Sequence, residues 1–213
     1  DAVNYLDQQI RNDYDELVRL DKEGKIKLNA NNLGNMQIHY LYARSFFGNK
    51  VMELQNKEAM EYFKGQAAKY WTNRGIYSEG MIALALKRFG DDNTAEGIVK
   101  SIKEKSMYSE DMGMYWENNS GGYYWYEAPI ETQALMIEVF DEVGKDEKSL
   151  DDMKVWLLKN KQTNDWKTNK ATVEAIYALL LKGDDWLSTD MLVDINVGTQ
   201  KIDMSGAEAG TGY

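Results

Sequence analysis

Four carboxylates and six large aromatic rings crowd the stretch from Asp111 to Glu131. Residues 114–127 read MYWENNSGGYYWYE, in which Asn-Asn-Ser-Gly-Gly separates Tyr115 and Trp116 from Tyr123, Tyr124, Trp125 and Tyr126. A carboxylate pair serving as acid and base, beside aromatic platforms that stack sugar rings, is the equipment of a glycoside-cleaving cleft. Asp111, Glu117, Glu127 and Glu131 are the acids such a cleft would use, and their spacing singles out no pair. The same rings also pack in plain structural roles with their polar tips wet, or form an interdomain contact, since Tyr and Trp dominate interface hot spots. Gly121-Gly122 before four consecutive aromatics marks a tight turn that folds the segment back on itself. Structural packing is the preferred reading. Tyr115, Trp116, Tyr123, Tyr124, Trp125, Tyr126 and Glu127 are the candidate interaction loop, and no residue is assigned to catalysis.

Other chemistries have less to work with. The chain has no cysteine, which removes disulfides, thiolate metal sites and cysteine nucleophiles. His39 is its only histidine, so a zinc site with two histidines is excluded and a Ser-His-Asp triad would need that residue. Its surroundings, NMQIHYLYARSFF, read as a packed helix without a serine elbow, so His39 is expected to be structural. Acid pairs such as Asp151-Asp152 and Asp184-Asp185 lack calcium-loop spacing and are expected at helix starts or in solvated turns. No metal and no cofactor is implied.

The 213 residues carry a formal charge of −10, with 35 acidic against 25 basic side chains. Phosphate backbones and anionic membrane surfaces would be repelled. No apolar run is long enough to span a bilayer, so membrane insertion by this piece is not expected. The opening DAVNYL and closing GAEAGTGY suggest a piece of a longer protein.

The elements that must position these residues are helices. Pro129 is the only proline, a scarcity that favours long helices. Four apolar segments end in glycine: NMQIHYLYARSFFG, GMIALALKRFG, PIETQALMIEVFDEVG and TVEAIYALLLKG, closing at Gly48, Gly90, Gly144 and Gly183. Glycine just past a helix end takes the left-handed conformation that caps it. Ile82, Ala85, Leu86 and Phe89, and again Met136, Val139, Phe140 and Val143, repeat at i, i+3, i+4, i+7. The remaining faces are apolar too, which predicts burial on most sides. A more charged, one-faced helix precedes each, the last carrying a stripe of Val155, Trp156 and Leu158. Outer amphipathic and inner buried helices thus alternate four times, as in an α/α toroid or an open solenoid.

The glycine spacings are 42, 54 and 39 residues (48 to 90, 90 to 144, 144 to 183). The third hairpin therefore carries an insertion of about a dozen residues between Lys105 and Ala128. It contains the aromatic stretch and feeds an inner helix whose first turn begins at Pro129. Beyond Gly183, Val193, Ile195 and Val197 alternate with polar residues and predict a strand, with Gly198-Thr199 as a hairpin turn. The expected fold class is all-α: a toroid-like set of about four helical hairpins, a partial ring, over residues 1–187, with a short β-hairpin in residues 188–213 opening a β domain.

Two segments, DMGMYWENNSGGYYWYEAPIETQALMIEVFDEV and VWLLKNKQTNDWKTNKATVEAIYALLLKGDDWL, resemble the bacterial alpha-2-macroglobulin family, most closely its members from Bacteroidetes-type bacteria. The resemblance is specific over residues 107–187. It implies the later part of the thioester-type toroid, a ring of about six hairpins. The family's reactive motif, Cys-x-Glu-Gln, lies near the start of that ring, and this sequence does not contain it. The nearest shape is YLDQQ at residues 5–9, without a cysteine. The family traps attacking proteases: bait cleavage exposes an activated acyl group, until then shielded from water, that couples to the protease. A histidine assists that transfer in several relatives, but the context of His39 does not match it. The resemblance implies a noncatalytic piece of a protease-trapping endopeptidase inhibitor, forming the structural wall of the thioester domain. It implies the parent's other domains as partners, proteases as the parent's targets and a periplasmic or surface-anchored place in the cell envelope. The alternative is a carbohydrate-binding or glycoside-cleaving domain with its cleft at residues 107–127. Loss of sugar binding on Trp116→Ala or Trp125→Ala would mark it.

Overall fold

The computed structural model describes residues 2–119, 121, 128–161, 166–181, 195–197 and 200–202. Among the described residues eight α-helices follow one another: α1 (Ala2–Lys22), α2 (Asn35–Ser45), α3 (Leu54–Tyr70), α4 (Ile76–Arg88), α5 (Asp92–Glu104), α6 (Pro129–Val139), α7 (Glu147–Lys159) and α8 (Asn169–Leu180). Two short antiparallel pairs join them: β1 (Met107–Ser109) with β2 (Gly113–Tyr115), and β3 (Ile195–Val197) with β4 (Gln200–Ile202). The chain divides into two compact units, Asp1–Ala178 and Leu179–Tyr213. The β3–β4 pair belongs to the second, where a hairpin is expected; its turn, 198–199, lies outside the described residues. The β1–β2 hairpin is not anticipated by the sequence reading, which takes the whole insertion as loop.

In the first unit α1, α5 and α7 are amphipathic and α3 only weakly so, while the even-numbered helices are the more apolar. α2 packs against α4 and α4 against α6, while α1 lies on α3 and α5 on α4. From Glu79 to Leu86 every residue of α4 is buried, and in α6 every residue from Ile130 to Val139 is. Helices without a polar face are those with helices on several sides. α4 approaches α6 so closely that a side chain at Gly80 would meet Met136, Leu135 and Val139.

The glycine caps hold in part. Gly90 has φ +87°, with Asp91 N–H donating to Leu86 O at 2.8 Å and Gly90 N–H to Lys87 O at 3.0 Å. Gly24 ends α1 in the same way. Gly48 is not left-handed; α2 closes with Phe46 N–H donating to Ala43 O and Phe47 N–H to Arg44 O, and the Arg44 guanidinium braces the turn that follows, donating to Phe47 O and Lys50 O. After α6 a π-turn over Phe140–Gly144 adds a residue, and the left-handed position falls on Lys145 (φ 50°). Gly183 lies outside the described residues.

Two apolar faces differ from expectation. In α7 the buried stripe is Leu150, Met153 and Leu157 with Trp156, whereas Leu158 is exposed and Val155 only half-buried. α8 buries only Ala171, Ala175 and Ala178, leaving Val173, Ile176, Tyr177 and Leu180 exposed on the opposite side. Asp151-Asp152 lies in the second turn of α7 rather than at its start. No described helix is long and apolar enough to cross a membrane.

Candidate functional site at the mouth of the inner helices

The insertion begins where α5 ends. β1 and β2 turn back through Gly113, whose φ is +69°, and a side chain there would collide with the carbonyl of Asp152 in α7. Only glycine lets β2 lie this close to α7. Gln133 of α6, fully buried, donates to Met114 O at 2.8 Å and fixes the strand from the other side.

Trp116 follows directly. It is 4% exposed, its indole N–H donates to Ile102 O at 2.9 Å, and its ring lies 6.2 Å from that of Phe140. Trp166, also buried, repeats the device one hairpin later, donating to Leu157 O at 2.8 Å. Each indole donates to a carbonyl in the last turn of an outer helix, Ile102 O also accepting from Lys105 N–H at 3.2 Å. Thr168 and Thr172 complete the second case: Thr168 Oγ1 accepts from Ala171 N–H at the start of α8, and Thr172 Oγ1 accepts from Trp166 N–H. The chain then turns, Asn119 N–H donating to Trp116 O at 3.0 Å and its side-chain amide to Pro129 O at 2.9 Å. Pro129 is the first residue of α6, where its missing N–H costs nothing.

Of the candidate interaction loop, Tyr115 is half-buried at the end of β2 and Trp116 is core. Tyr123, Tyr124, Trp125, Tyr126 and Glu127 lie outside the described residues. The remaining acids are not drawn together: Asp111 is exposed in the β1–β2 turn, Glu117 is exposed beyond Trp116, and Glu131 is buried on α6.

What the insertion does build is a cleft over the N-terminal ends of the inner helices. A cavity of about 410 Å³ is lined by Asn35 of α2, Asn73, Arg74 and Ser78 around the start of α4, Asn118 and Asn119 of the insertion, and Thr132 of α6. An adjoining one of about 300 Å³ shares Arg74 and Asn118 and reaches Glu79, Lys105, Trp116 and Glu117. Glu79 is 1% exposed and accepts from Lys105 Nζ at 2.8 and 2.9 Å. Burial pushes its pKa up although Lys105 pulls the other way. Sequence reasoning missed Asn35, Asn73, Arg74 and Glu79, because only the packing of three hairpins brings them to one mouth.

Deeper in, the inner helices present titratable groups to one another. His39 of α2 lies 6.4 Å from the ring of Tyr77 of α4, and burial, then Lys170 of α8, push its pKa down. Tyr77 is pushed up to about 12 by burial and by Glu174 and Glu131. Glu174 of α8 is raised by burial, with Lys170 opposing and Glu131 and Glu138 adding to the rise. At the far end Arg88 closes α4 onto its neighbours. Its guanidinium donates to Glu142 at 2.6 Å, Glu138 at 2.7 Å and Ser45 Oγ at 3.2 Å, and lies 4.3 Å from the ring centre of Phe46. Tyr42 OH reaches Glu138 at 2.9 Å, so α2 meets α6 past α4. Burial alone would lower the pKa of Arg88; the hydrogen bonds it donates to Glu142 and Glu138 hold it above its ordinary value.

Asp7, at the centre of the YLDQQ stretch, is a buried structural anion. Its Oδ1 accepts from Tyr40 OH at 2.7 Å and Arg44 Nε at 3.1 Å, tying α1 to α2. Among the described residues no group of three or more His, Asp or Glu is arranged to hold a metal ion. No protein-family model and no curated protein matches this chain. The functional reading therefore rests on the residues and their geometry.

Proposed function

We propose that this chain is a wall module of a bacterial alpha-2-macroglobulin-like protease trap, belonging to a partial α/α toroid and acting without catalysis of its own. One observation carries this reading: the alternation of amphipathic and buried helices, with an insertion ahead of α6 that is pinned into the core through Trp116. Of these features, the resemblance over residues 107–187 implies the helical hairpins of a toroid. The apolar residues left exposed on α8, at Met36 near the start of α2 and at Phe46 and Phe47 just past its end suit two ends of an incomplete ring. In this reading the parent is an endopeptidase inhibitor of the cell envelope, and its other domains are this module's partners. The test is capture: the longer protein carrying this module retains a protease after bait cleavage, while the isolated chain retains none. Release of the protease by the longer protein would count against the proposal.

The amide-lined cleft favours a second reading, a carbohydrate-binding mouth. Asn35, Asn73 and Asn118 make no side-chain hydrogen bond among the described residues, which leaves their amides open to sugar hydroxyls. Trp116→Ala cannot decide this, since it would damage the core. Asn118→Ala and Arg74→Ala, tested by calorimetry against an oligosaccharide panel, can. Sugar binding lost in both variants supports a carbohydrate site, and no binding by the unaltered chain removes it.

A further inference from the structure

The cavity of about 410 Å³ over the inner helices has one charged side chain among the described residues of its lining, Arg74, in a chain of net charge −10. Arg74 is held in place. Its Nη2 donates to Leu33 O and, at 3.5 Å, to Asn31 Oδ1, while Nε and Nη1 engage no acceptor among the described residues. Glu79 and Glu117 line the adjoining cavity instead, and Glu79 is already paired with Lys105. Thr132 of α6 is 1% exposed, and its hydroxyl makes no hydrogen bond among the described residues. The hydroxyl is not one of the sealed, unpartnered polar atoms, so what surface it has opens on the cavity that Thr132 lines. A buried hydroxyl without a partner costs free energy unless something from outside the fold supplies one. Ser78, half-buried in the first turn of α4, adds a second hydroxyl without a hydrogen bond. The helix starts agree with the sign. α5 and α7 open on Asp91 and Asp146, whose carboxylates accept from Thr94 and Ser149 N–H. α2, α4 and α6 open on Gly34, Gly75 and Ala128, with no side-chain cap. Their first turns thus keep a positive partial charge at the mouth.

We propose that this cavity binds a carboxylate group, Arg74 pairing with its charge while Ser78 and Thr132 donate their hydroxyl hydrogens from α4 and α6. A carboxylate has acceptors only, and these three groups supply donors. One guanidinium facing no lining carboxylate balances one negative charge. A carboxylate carries one; a phosphate monoester carries about 1.5–2 at neutral pH and exceeds it. Charge-assisted bonds of this kind are the strong ones. The exposed amides of Asn35, Asn73 and Asn118 meet the molecule that bears the acid, an acidic sugar or a simple organic acid. The site shares its cleft with the carbohydrate reading and does not depend on it, because the carboxylate alone makes these bonds.

The test is a titration of the whole chain with acetate, D-glucuronate, D-glucose and inorganic phosphate in parallel, followed by NMR of the backbone amides and the arginine Nε–H groups. The expected result is saturable movement of the Arg74 Nε–H and of the Asn35 and Ser78 amides with acetate and glucuronate, and none with glucose. Tighter binding of glucuronate than of acetate assigns the site to an acidic sugar; equal binding assigns it to simple organic acids. Thr132→Val removes a hydroxyl that has no partner in the fold. It should weaken carboxylate binding about tenfold, as loss of one charge-assisted bond requires, without lowering Tm. Arg74→Gln should abolish binding; where that variant does not fold, Thr132→Val decides, since it leaves the brace of Arg74 on Leu33 in place. Movement with glucose alone would overturn this proposal and leave the carbohydrate reading standing. No saturable movement with either carboxylate, a preference for phosphate, or unchanged affinity in Thr132→Val would overturn it as well.

Discussion

Replacing Arg88 with Met keeps most of the side chain's volume and removes its charge. The guanidinium is 15% exposed and holds Glu138, itself 9% exposed, together with Glu142, which is 34% exposed. Removing one member of a buried pair strands the other charge, at a cost of about 3–5 kcal/mol. Glu142 reaches solvent and adds little. Loss of the Phe46 contact adds about 0.5–1 kcal/mol, and Glu138 keeps its bond from Tyr42, which returns part of the cost. The expected destabilisation of Arg88→Met is therefore about 3 kcal/mol, or roughly 6–12 °C in Tm for a chain of this size. Urea unfolding followed by far-ultraviolet circular dichroism measures it. The double variant Arg88→Met/Glu138→Gln should recover more than 1 kcal/mol of the loss, roughly the penalty of the stranded carboxylate. A single variant within about 0.5 kcal/mol of the parent chain, in the range of ordinary surface changes, would refute the account of Arg88 as the clasp of α2, α4 and α6.

Three further outcomes follow from the same geometry. Gly113→Ala should destabilise more than Gly90→Ala: both positions have positive φ, costing about 1–2 kcal/mol for a Cβ, but only Gly113 has the Asp152 carbonyl in the way; equal losses in thermal melts would argue against the close approach. Trp116→Phe should cost only about 1 kcal/mol for one lost hydrogen bond, because Ile102 O keeps the Lys105 N–H, and Trp116→Ala about 3–5 kcal/mol; a harmless Trp116→Ala in urea unfolding would contradict its placement. Glu174→Gln should raise Tm at pH 7 and leave it unchanged near pH 4. The folded pKa of Glu174 is raised by burial and by Glu131 and Glu138, so its protonated form is preferred in the fold, and stability present below the unfolded pKa is lost as pH rises through the folded one. A Tm difference that grows toward low pH would reverse the sign and defeat the assignment.

The helices were legible because two periodicities agreed: apolar residues at helical spacing, and charged one-faced stretches between them. The core of α4 and α6 follows from that pattern alone. Its limits are physical. Gly48 and Gly144 look like Gly90, yet the turn after α2 is braced by Arg44 and a π-turn displaces the cap after α6. Nothing in the local sequence announces either, because each depends on a carbonyl position set by tertiary packing. The exposed face of α8 is not predicted, because Val173, Ile176 and Leu180 are indistinguishable in sequence from core residues until the packing around them is known. Arg88 looks like an ordinary charged residue at a helix end; only the approach of Glu138 and Glu142 from α6 and its π-turn gives it work. Of the site, Trp116 was visible as an aromatic but not as a hydrogen-bonded plug. Asp7 was noticed only for resembling a reactive motif.

The most direct measurement of the proposed role uses the parent protein that the proposal requires, one that carries this chain as a module. It is mixed with a protease that cuts it, passed over a size-exclusion column, and the protease activity eluting with it is assayed on a small peptide and on a large protein substrate. The account predicts protease held in the complex, active on the peptide and blocked on the protein. Cleavage with the protease eluting free, fully active on both substrates, would contradict it.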